Sequence, residues 1–523
     1  MKRNFQLLSS SFICIFFTIN LFGQTDKLPM EQRTVTNKFD LQKNEISNIQ
    51  FYCTNYGVFG MNVKSLKGGL FWPRFSGNQY IFAGGFWVGA KKRLPSGEIS
   101  KLVSIGYNNY SGKGWFVPGR IDENVNFDSL NKTQYRLYYS TDFDDISGVV
   151  KNQDDGADWC LWHNKAENTN WFYISANYIQ DTLLRKYVKI ANEPLMVSDE
   201  DIFSTFHDGN LNYYEGGSAA RQAKGYPLGL QVDSRILTWN DNHDLKDVML
   251  LQYYVTNTSN DTLFDVYFAN IIDPDLVASD GNKNASSNDR IRFYDNDPKL
   301  NMGIVWTNTD QGEAGKGFGY AGIGMIETPA VDMYGNLKDE KLYYEPEEQI
   351  GLNTFRYFTL LDNIADDTTR YNLIETPTFS GDVGPTEVNV ALSTGGFKLL
   401  PKQGFRVTSF ILFGMPSKGG EADGTDEDVV DIAANAKKVW EIYYDKLNSV
   451  EDDVVRKIEM YPNPADNYLY IDGLYGEITI YNLLNQIVWN GKLNGKNVIN
   501  LDNFSSGMYF IKSENCFEKF IKK

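Results

Sequence analysis

Val248-Met249-Leu250-Leu251-Gln252-Tyr253-Tyr254-Val255 runs into Thr258-Ser259-Asn260-Asp261 and then into Leu263-Phe264-Asp265-Val266-Tyr267-Phe268-Ala269. Aliphatic and aromatic residues of this kind favour pleated, half-buried surfaces, and the Ser-Asn-Asp cluster between them supplies a turn. The stretch therefore predicts a β-hairpin. Both faces of each run are apolar, as in the inner sheet of a sandwich covered on two sides.

The same pattern continues outward. Arg356 to Leu360, Val388 to Leu392 and Phe405 to Phe413 read as further strands, and Ser393-Thr394-Gly395-Gly396 reads as a turn. Upstream, Phe71-Trp72-Pro73-Arg74 and the run Gly77 to Ala90 mark a second β-rich region, dense in aromatics and glycines. One segment has helical spacing: Val430, Ala433, Ala434, Val439, Ile442 and Tyr443 recur, with Glu427, Asp428 and Asp431 early and Lys437, Lys438 and Lys446 late, as the helix dipole favours. Composition agrees, with 32 Tyr, 33 Phe and 45 Gly in 523 residues. The fold class this predicts is all-β: a β-sandwich body with one helix near residues 427–446, plus a small Ig-like C-terminal β-sandwich. The expected divisions are a signal peptide (1–24), a β-rich N-terminal region (25–195), a β-sandwich region ending in the helix (196–446), a charged linker (447–457) and a C-terminal domain (458–523).

The N-terminus predicts export. Lys2 and Arg3 precede an apolar stretch from Phe12 to Ile19, continued by Leu21-Phe22 and closed by Gly23-Gln24. That order of charge, short apolar core and small residue suits signal peptidase after passage through the Sec translocon. The apolar core is shorter than the ~20 residues a bilayer span requires. Cys14 leaves with the signal, and Cys516 lies near the C-terminus, so Cys53 and Cys160 are left as partners for one bridge. Spacing leaves that pairing open. The formal charge is −17. Residues 457–523 balance seven lysines against seven acids, so the body carries the negative charge. Such a surface repels nucleic acid and anionic membranes.

The last 66 residues hold the most specific pattern. Tyr461-Pro462-Asn463-Pro464-Ala465 opens it with two prolines that fix an extended entry. Leu469-Tyr470-Ile471 is closed by Asp472-Gly473; Glu477 to Asn482 alternates; Gln486 to Trp489 follows, and Asn494-Gly495 marks another turn. Val498 to Leu501, then Phe504-Ser505-Ser506-Gly507-Met508-Tyr509-Phe510-Ile511-Lys512, lead to Lys519-Phe520-Ile521-Lys522-Lys523. Short strands at this spacing predict a small antiparallel sandwich.

This region resembles the type A C-terminal sorting domain of type IX secretion substrates of Bacteroidota. Tyr461, Pro462, Asn463, Pro464, Gly507, Tyr509, Lys519, Lys522 and Lys523 stand at the matching positions. The family commonly has a glycine where this chain has Leu484-Asn485, and Asn tolerates the same turn. The resemblance implies passage through the type IX outer-membrane translocon, removal of the tag by its sorting protease, and transfer to a surface polysaccharide or release. The body resembles large uncharacterised surface proteins carrying such tags, which implies no activity.

Enzyme signatures are scarce. The histidines are His163, His207 and His243, and there is no HExxH, no GxSxG and no Walker loop. Cys160 and His163, three apart on a strand, would face opposite sides. Asp273-Pro274-Asp275, Asp280-Gly281-Asn282, Asn288-Asp289 and Asp295-Asn296-Asp297 gather hard oxygen donors, which is what calcium takes, so Asp273, Asp275, Asp280, Asp289, Asp295 and Asp297 are the candidate ligands of a structural Ca2+. A second acidic stretch runs from Asp142 to Asp158. Trp72, Trp87 and Trp115 are candidates for sugar stacking, against the commoner role of core residues. The sequence thus predicts an exported protein whose body is a non-catalytic binding or structural module. A glycosidase-like hydrolase using paired carboxylates is the alternative.

Overall fold

The computed structural model describes residues 38–108, 112, 114–121, 135–139, 175–181, 186–191, 198–213, 218–277, 287–307, 318–338, 344–359, 362, 364–444, 459–483, 486–513 and 516–523. The signal segment, Cys160, His163, the stretch 142–158, Asp280 and the linker 447–457 lie outside these residues.

Two large antiparallel sheets make the body. One has ten strands, in the order Val383–Thr386, Asp289–Phe293, Met302–Thr307, Tyr320–Glu327, Gly404–Gly414, Val248–Asn257, Leu230–Thr238, Glu200–His207 and Val117–Pro118, with Tyr138–Tyr139 also on Glu200–His207. The other has six: Thr354–Phe358, Asn389–Leu399, Leu263–Val277, Gln79–Arg93 and Leu70–Phe71, with Ile99–Ile105 also on Gln79–Arg93. Strands from residues 25–195 and from 196–446 thus share both sheets.

The stretch quoted first folds differently from its predicted hairpin. Val248–Asn257 pairs with Leu230–Thr238 and Gly404–Gly414, whereas Leu263–Val277 pairs with Gln79–Arg93 and Asn389–Leu399. The polar turn carries the chain from one sheet to the other. Two runs that are apolar on both faces each need neighbours on two edges and cover on two faces, and separate sheets supply both. Asn257 fixes the crossing. Fully buried, it donates through Nδ2 to the carbonyls of Asp261 (2.8 Å), Leu400 (3.2 Å) and Leu399 (3.4 Å), and its Oδ1 accepts from Ser259 N (3.1 Å) and Oγ (2.7 Å).

Across the gap between sheets, Phe86 touches Phe116, Phe206, Tyr253 and Phe268, with ring centroids 4.9–5.8 Å apart. Its ring fits because Gly57 and Gly106 leave room: a Cβ on either would lie 2.5 or 2.7 Å from Phe86 Cε1. Trp72, Trp87 and Trp115 belong to this core, at 5, 1 and 1% exposure, so none is a stacking platform for sugars. Their size and apolar surface are better satisfied inside, where Trp87 donates to Tyr107 O (2.6 Å) and Trp72 to Asp247 Oδ1 (2.8 Å).

The expected C-terminal helix is present as Val430–Ile442. Ile432, Ala436 and Val439 cover the outer face of the ten-stranded sheet against Tyr320, Phe410 and Leu412. Its end is riveted to the body. Tyr443 Oη donates to Glu327 Oε2, whose partner oxygen takes Arg406 Nε at 2.6 Å, while Tyr444 Oη donates to Ile326 O at 2.6 Å. Two further α-helices occur among the described residues, Ser218–Lys224 and Asp367–Glu375. The second buries Asp367, Arg370, Tyr371, Leu373 and Ile374, so charged and apolar residues are sequestered together and no amphipathic stripe betrays it. Ser393-Thr394-Gly395-Gly396 is not a turn but lies within Asn389–Leu399. The chain bulges there against Val266, and a Cβ on Gly395 (φ +153°) would stand 2.4 Å from Val266 O. Cys53 is a free, buried thiol.

Asn257→Ala strips three carbonyls of a buried donor. The substitution should lower the stability of the chain by about 1–3 kcal/mol, read as a lower urea midpoint with an unchanged slope. An unchanged midpoint would mean that the crossing is held by its neighbours alone.

Candidate functional site

Three of the predicted calcium ligands, Asp273, Asp275 and Asp289, lie within electrostatic reach of one another. Asp273 and Asp275 lie near the end of Leu263–Val277, and Asp289 opens Asp289–Phe293. A fourth carboxylate, Glu387, joins them from the two-residue step between Val383–Thr386 and Asn389–Leu399. Asp273, Asp275 and Glu387 are half-buried and Asp289 fully buried. Asp273 Oδ2 accepts from Tyr107 Oη (3.2 Å) and Asp289 Oδ1 from Leu276 N (3.3 Å).

Burial and the crowding of like charges act together here. Burial, then the Glu387 carboxylate, pushes Asp275 up to about 7. Asp273 and Asp289 are held well above the carboxylate range by burial first and by Asp275 next. Asp295 and Asp297 stand apart, beyond the far end of the Asp289–Phe293 strand. Asp295 pairs loosely with Arg292 (3.8 Å), and Asp297 precedes the short helical turn Pro298–Leu300. Among the described residues, no three His, Cys, Asp or Glu side chains already stand in a metal-holding arrangement. Glu387 was invisible to the sequence reading because more than 90 residues separate it from the other acids. The two described histidines serve turns: His207 Nδ1 accepts from Gly209 N and His243 Nδ1 from Leu245 N, each at 3.0 Å.

The C-terminal region forms its own five-stranded antiparallel sheet: Glu459–Tyr461, Tyr468–Asn482, Ile487–Asn500, Gly507–Ser513 and Cys516–Lys522. Asp472-Gly473 and Asn494-Gly495, expected to be turns, lie inside two long strands. They fall in facing stretches around a register shift at Ile471/Leu474, so a bulge replaces both turns. The first motif is tied to the last strand. Asn463 Oδ1 accepts from Ile521 N (3.0 Å) and its Nδ2 donates to Lys519 O (3.3 Å); Ala465 N donates to Ile521 O (2.7 Å), and Lys523 N to Ala465 O (2.9 Å). Tyr509 stacks on Phe520 at 5.4 Å and donates its hydroxyl to Ser505 O (2.7 Å). Lys519 and Lys523 are exposed and Lys522 is half-buried. The opening prolines and asparagine thus register the edge of the sheet, and the buried Tyr and Phe between the final lysines and glycine fill its core.

These features define an all-β protein closed by a separate small sheet whose first and last segments are stitched together. That closing unit is a sorting domain: residues 459–523 match the family described as the secretion system C-terminal sorting domain, of the type IX pathway. No curated protein matches the chain. Among solved structures, a polysaccharide lyase is 8% identical, with 68% of this chain and 40% of that one covered and a TM-score of 0.17. The chain thus spans 40% of that lyase's length. A candidate aldose 1-epimerase from Escherichia coli K12 is also 8% identical, with 72 and 99% covered and a TM-score of 0.21. Neither likeness is close enough to assign the body's fold or chemistry.

Asn463→Ala removes both side-chain ties to the final strand. Amide hydrogen exchange at residues 519–523 should accelerate about tenfold, the equivalent of one lost hydrogen bond. Exchange as slow as in the unaltered chain would show that the Ala465 pairing suffices.

Proposed function

We propose that the chain is exported by its 1–24 signal through the Sec translocon, and that the type IX machinery reads residues 459–523 to carry it across the outer membrane. The body, residues 25–446, then works at the cell surface or outside the cell as a non-catalytic binding or structural module. The observation that carries this reading is the matched sorting domain, folded as a sheet of its own after a body whose last helix is anchored at Tyr443 and Tyr444. Support for a non-catalytic body comes from His207 and His243, which are engaged in turns, and from Trp72, Trp87 and Trp115, which are buried. A secreted hydrolase is the second reading. It is favoured by one observation, that burial raises the pKa of Asp273 and of Asp275 with the Glu387 carboxylate close to both, since perturbed carboxylates gather at catalytic sites.

The test is the intact mass and location of the protein in its host, with and without residues 458–523. The full chain should be found outside the outer membrane with its tag removed, and the truncated chain should stall in the periplasm. Equal export of both would sink the sorting role. Release of reducing ends from a polysaccharide panel, lost in Asp275→Asn, would replace the binding reading with the hydrolase.

A further inference from the structure

Residues 38–54 form a strap at the start of the described body. Its hairpin, Leu41–Lys43 on Tyr52–Thr54, closes on the loop between Asn44 and Ile49. Polar groups within the strap build that loop. Asn44 Nδ2 donates to Ser47 Oγ (2.9 Å) and Ile49 O (2.7 Å), and Asn44 Oδ1 accepts from Phe51 N (2.8 Å). The loop rests on one end of the ten-stranded sheet. There Glu200 faces Thr238 across the strand pairing, and Asp247, which just precedes the next strand, accepts from Asn48 Nδ2 at 2.6 Å.

Two buried carboxyls hold the strap. Glu200 has no exposure; it takes Glu45 N on Oε1 (2.8 Å) and Oε2 (3.1 Å), and Thr238 Oγ1 on Oε2 (3.2 Å). Asp40, 4% exposed, takes Leu137 N on Oδ2 (3.1 Å) and Gln42 Nε2 on Oδ1 (2.7 Å). Every one of these donors is neutral. The charges that face the two carboxyls are few. Arg74 acts on Glu200, but its guanidinium donates to the carbonyls of Asn44 (2.8 Å), Ser47 and Ile49 (3.1 Å each). Glu45, itself buried, opposes it, and Arg136 acts on Asp40. The Cys53 thiol beneath the hairpin is pushed up by burial and stays neutral, and Tyr139 donates its hydroxyl to Lys43 O (2.9 Å). Burial favours the uncharged form of an acid. It raises Asp40, and burial followed by Glu45 pushes Glu200 up to about 7.

We propose that the strap is a pH-sensitive catch. Its attachment through Glu200 and Asp40 is tightest when both carboxyls hold a proton, and it lifts more readily as they ionise, while the two sheets stay closed. With the strap lifted, Glu200 meets water and returns to its ordinary value of 4.5. Closing therefore takes up a proton in the window from 4.5 to about 7. The closed strap's advantage is full below that window, shrinks as pH rises through it, and is spent above it. Lifting uncovers Ile49 and Phe51, both without exposure in the closed form. Neutral pH thus opens an apolar surface at the N-terminal end of the body that acid closes.

The test is amide hydrogen exchange in the full chain at about pH 5 and about pH 7.5, each corrected for the intrinsic rate. Protection of residues 44–51 should fall about tenfold or more between the two, while that of Val248–Asn257 should not change. Glu200→Gln keeps an oxygen for Glu45 N and has no proton to lose, so it should remove most of the fall. Asp40→Asn/Glu200→Gln should abolish it. Melting temperatures at pH 5 that match the unaltered chain's would show that the variants fold; Asp40→Asn alone, which should remove the smaller part of the fall, serves if Glu200→Gln does not. Equal protection at the two pH values, an undiminished fall in the double variant, or an equal fall along Val248–Asn257 would each overturn the proposal.

Discussion

A single buried amide sets the architecture. Asn257 satisfies the backbone where the chain leaves one sheet for the other, and without that crossing two strongly apolar runs would lie side by side in one sheet. Because they part, each becomes an inner strand, and Tyr253 on one meets Phe268 on the other at 5.3 Å. The aromatic cluster around Phe86 then fills the gap, and the glycines that make room for its ring become obligatory. Packing in this body follows from topology: once the sheets face each other, the largest side chains have one place to go.

Much of this was legible in the sequence, and the misses have a common cause. Strand runs, the closing helix and the sorting domain stood out because each has a period or motif contained in a short window. Partnership did not. The 248–269 stretch looks like a hairpin because local chemistry specifies a reversal of direction, and a reversal within a sheet or between sheets has the same local signature. Gly395-Gly396 and Asn494-Gly495 looked like turns for the residues they contain; paired against long neighbours, the same flexibility makes bulges. The Asp367–Glu375 helix was hidden because its polar residues are buried alongside its apolar ones.

The acidic rim shows the same division. Asp273, Asp275 and Asp289 could be picked out by their spacing, since the crossing between their strands is short in sequence. Asp295 and Asp297 share that spacing but are carried away by the strand that intervenes, and Glu387 arrives from a distant crossing that only the sheet topology brings near. A sequence window therefore contained three acids of this rim and two that lie apart from it. The sorting domain was easier because its reading needed only order: its opening asparagine and closing strand are far apart in the chain, yet the motif fixes both.

The anchor at Tyr443 and Tyr444 has a mechanical meaning. A helix that ends a domain normally frays when its chain is pulled, because each terminal hydrogen bond breaks in turn. Here the last described residues of the body hang from Glu327 and from the backbone of Ile326, on strand Tyr320–Glu327 and within the interior of the ten-stranded sheet. Tension applied beyond residue 444 is passed through these two hydroxyls to an interior strand of that sheet, paired on both of its edges. A protein drawn through a membrane pore by its C-terminal end would then transmit the pull to its whole body and would not unravel from that end.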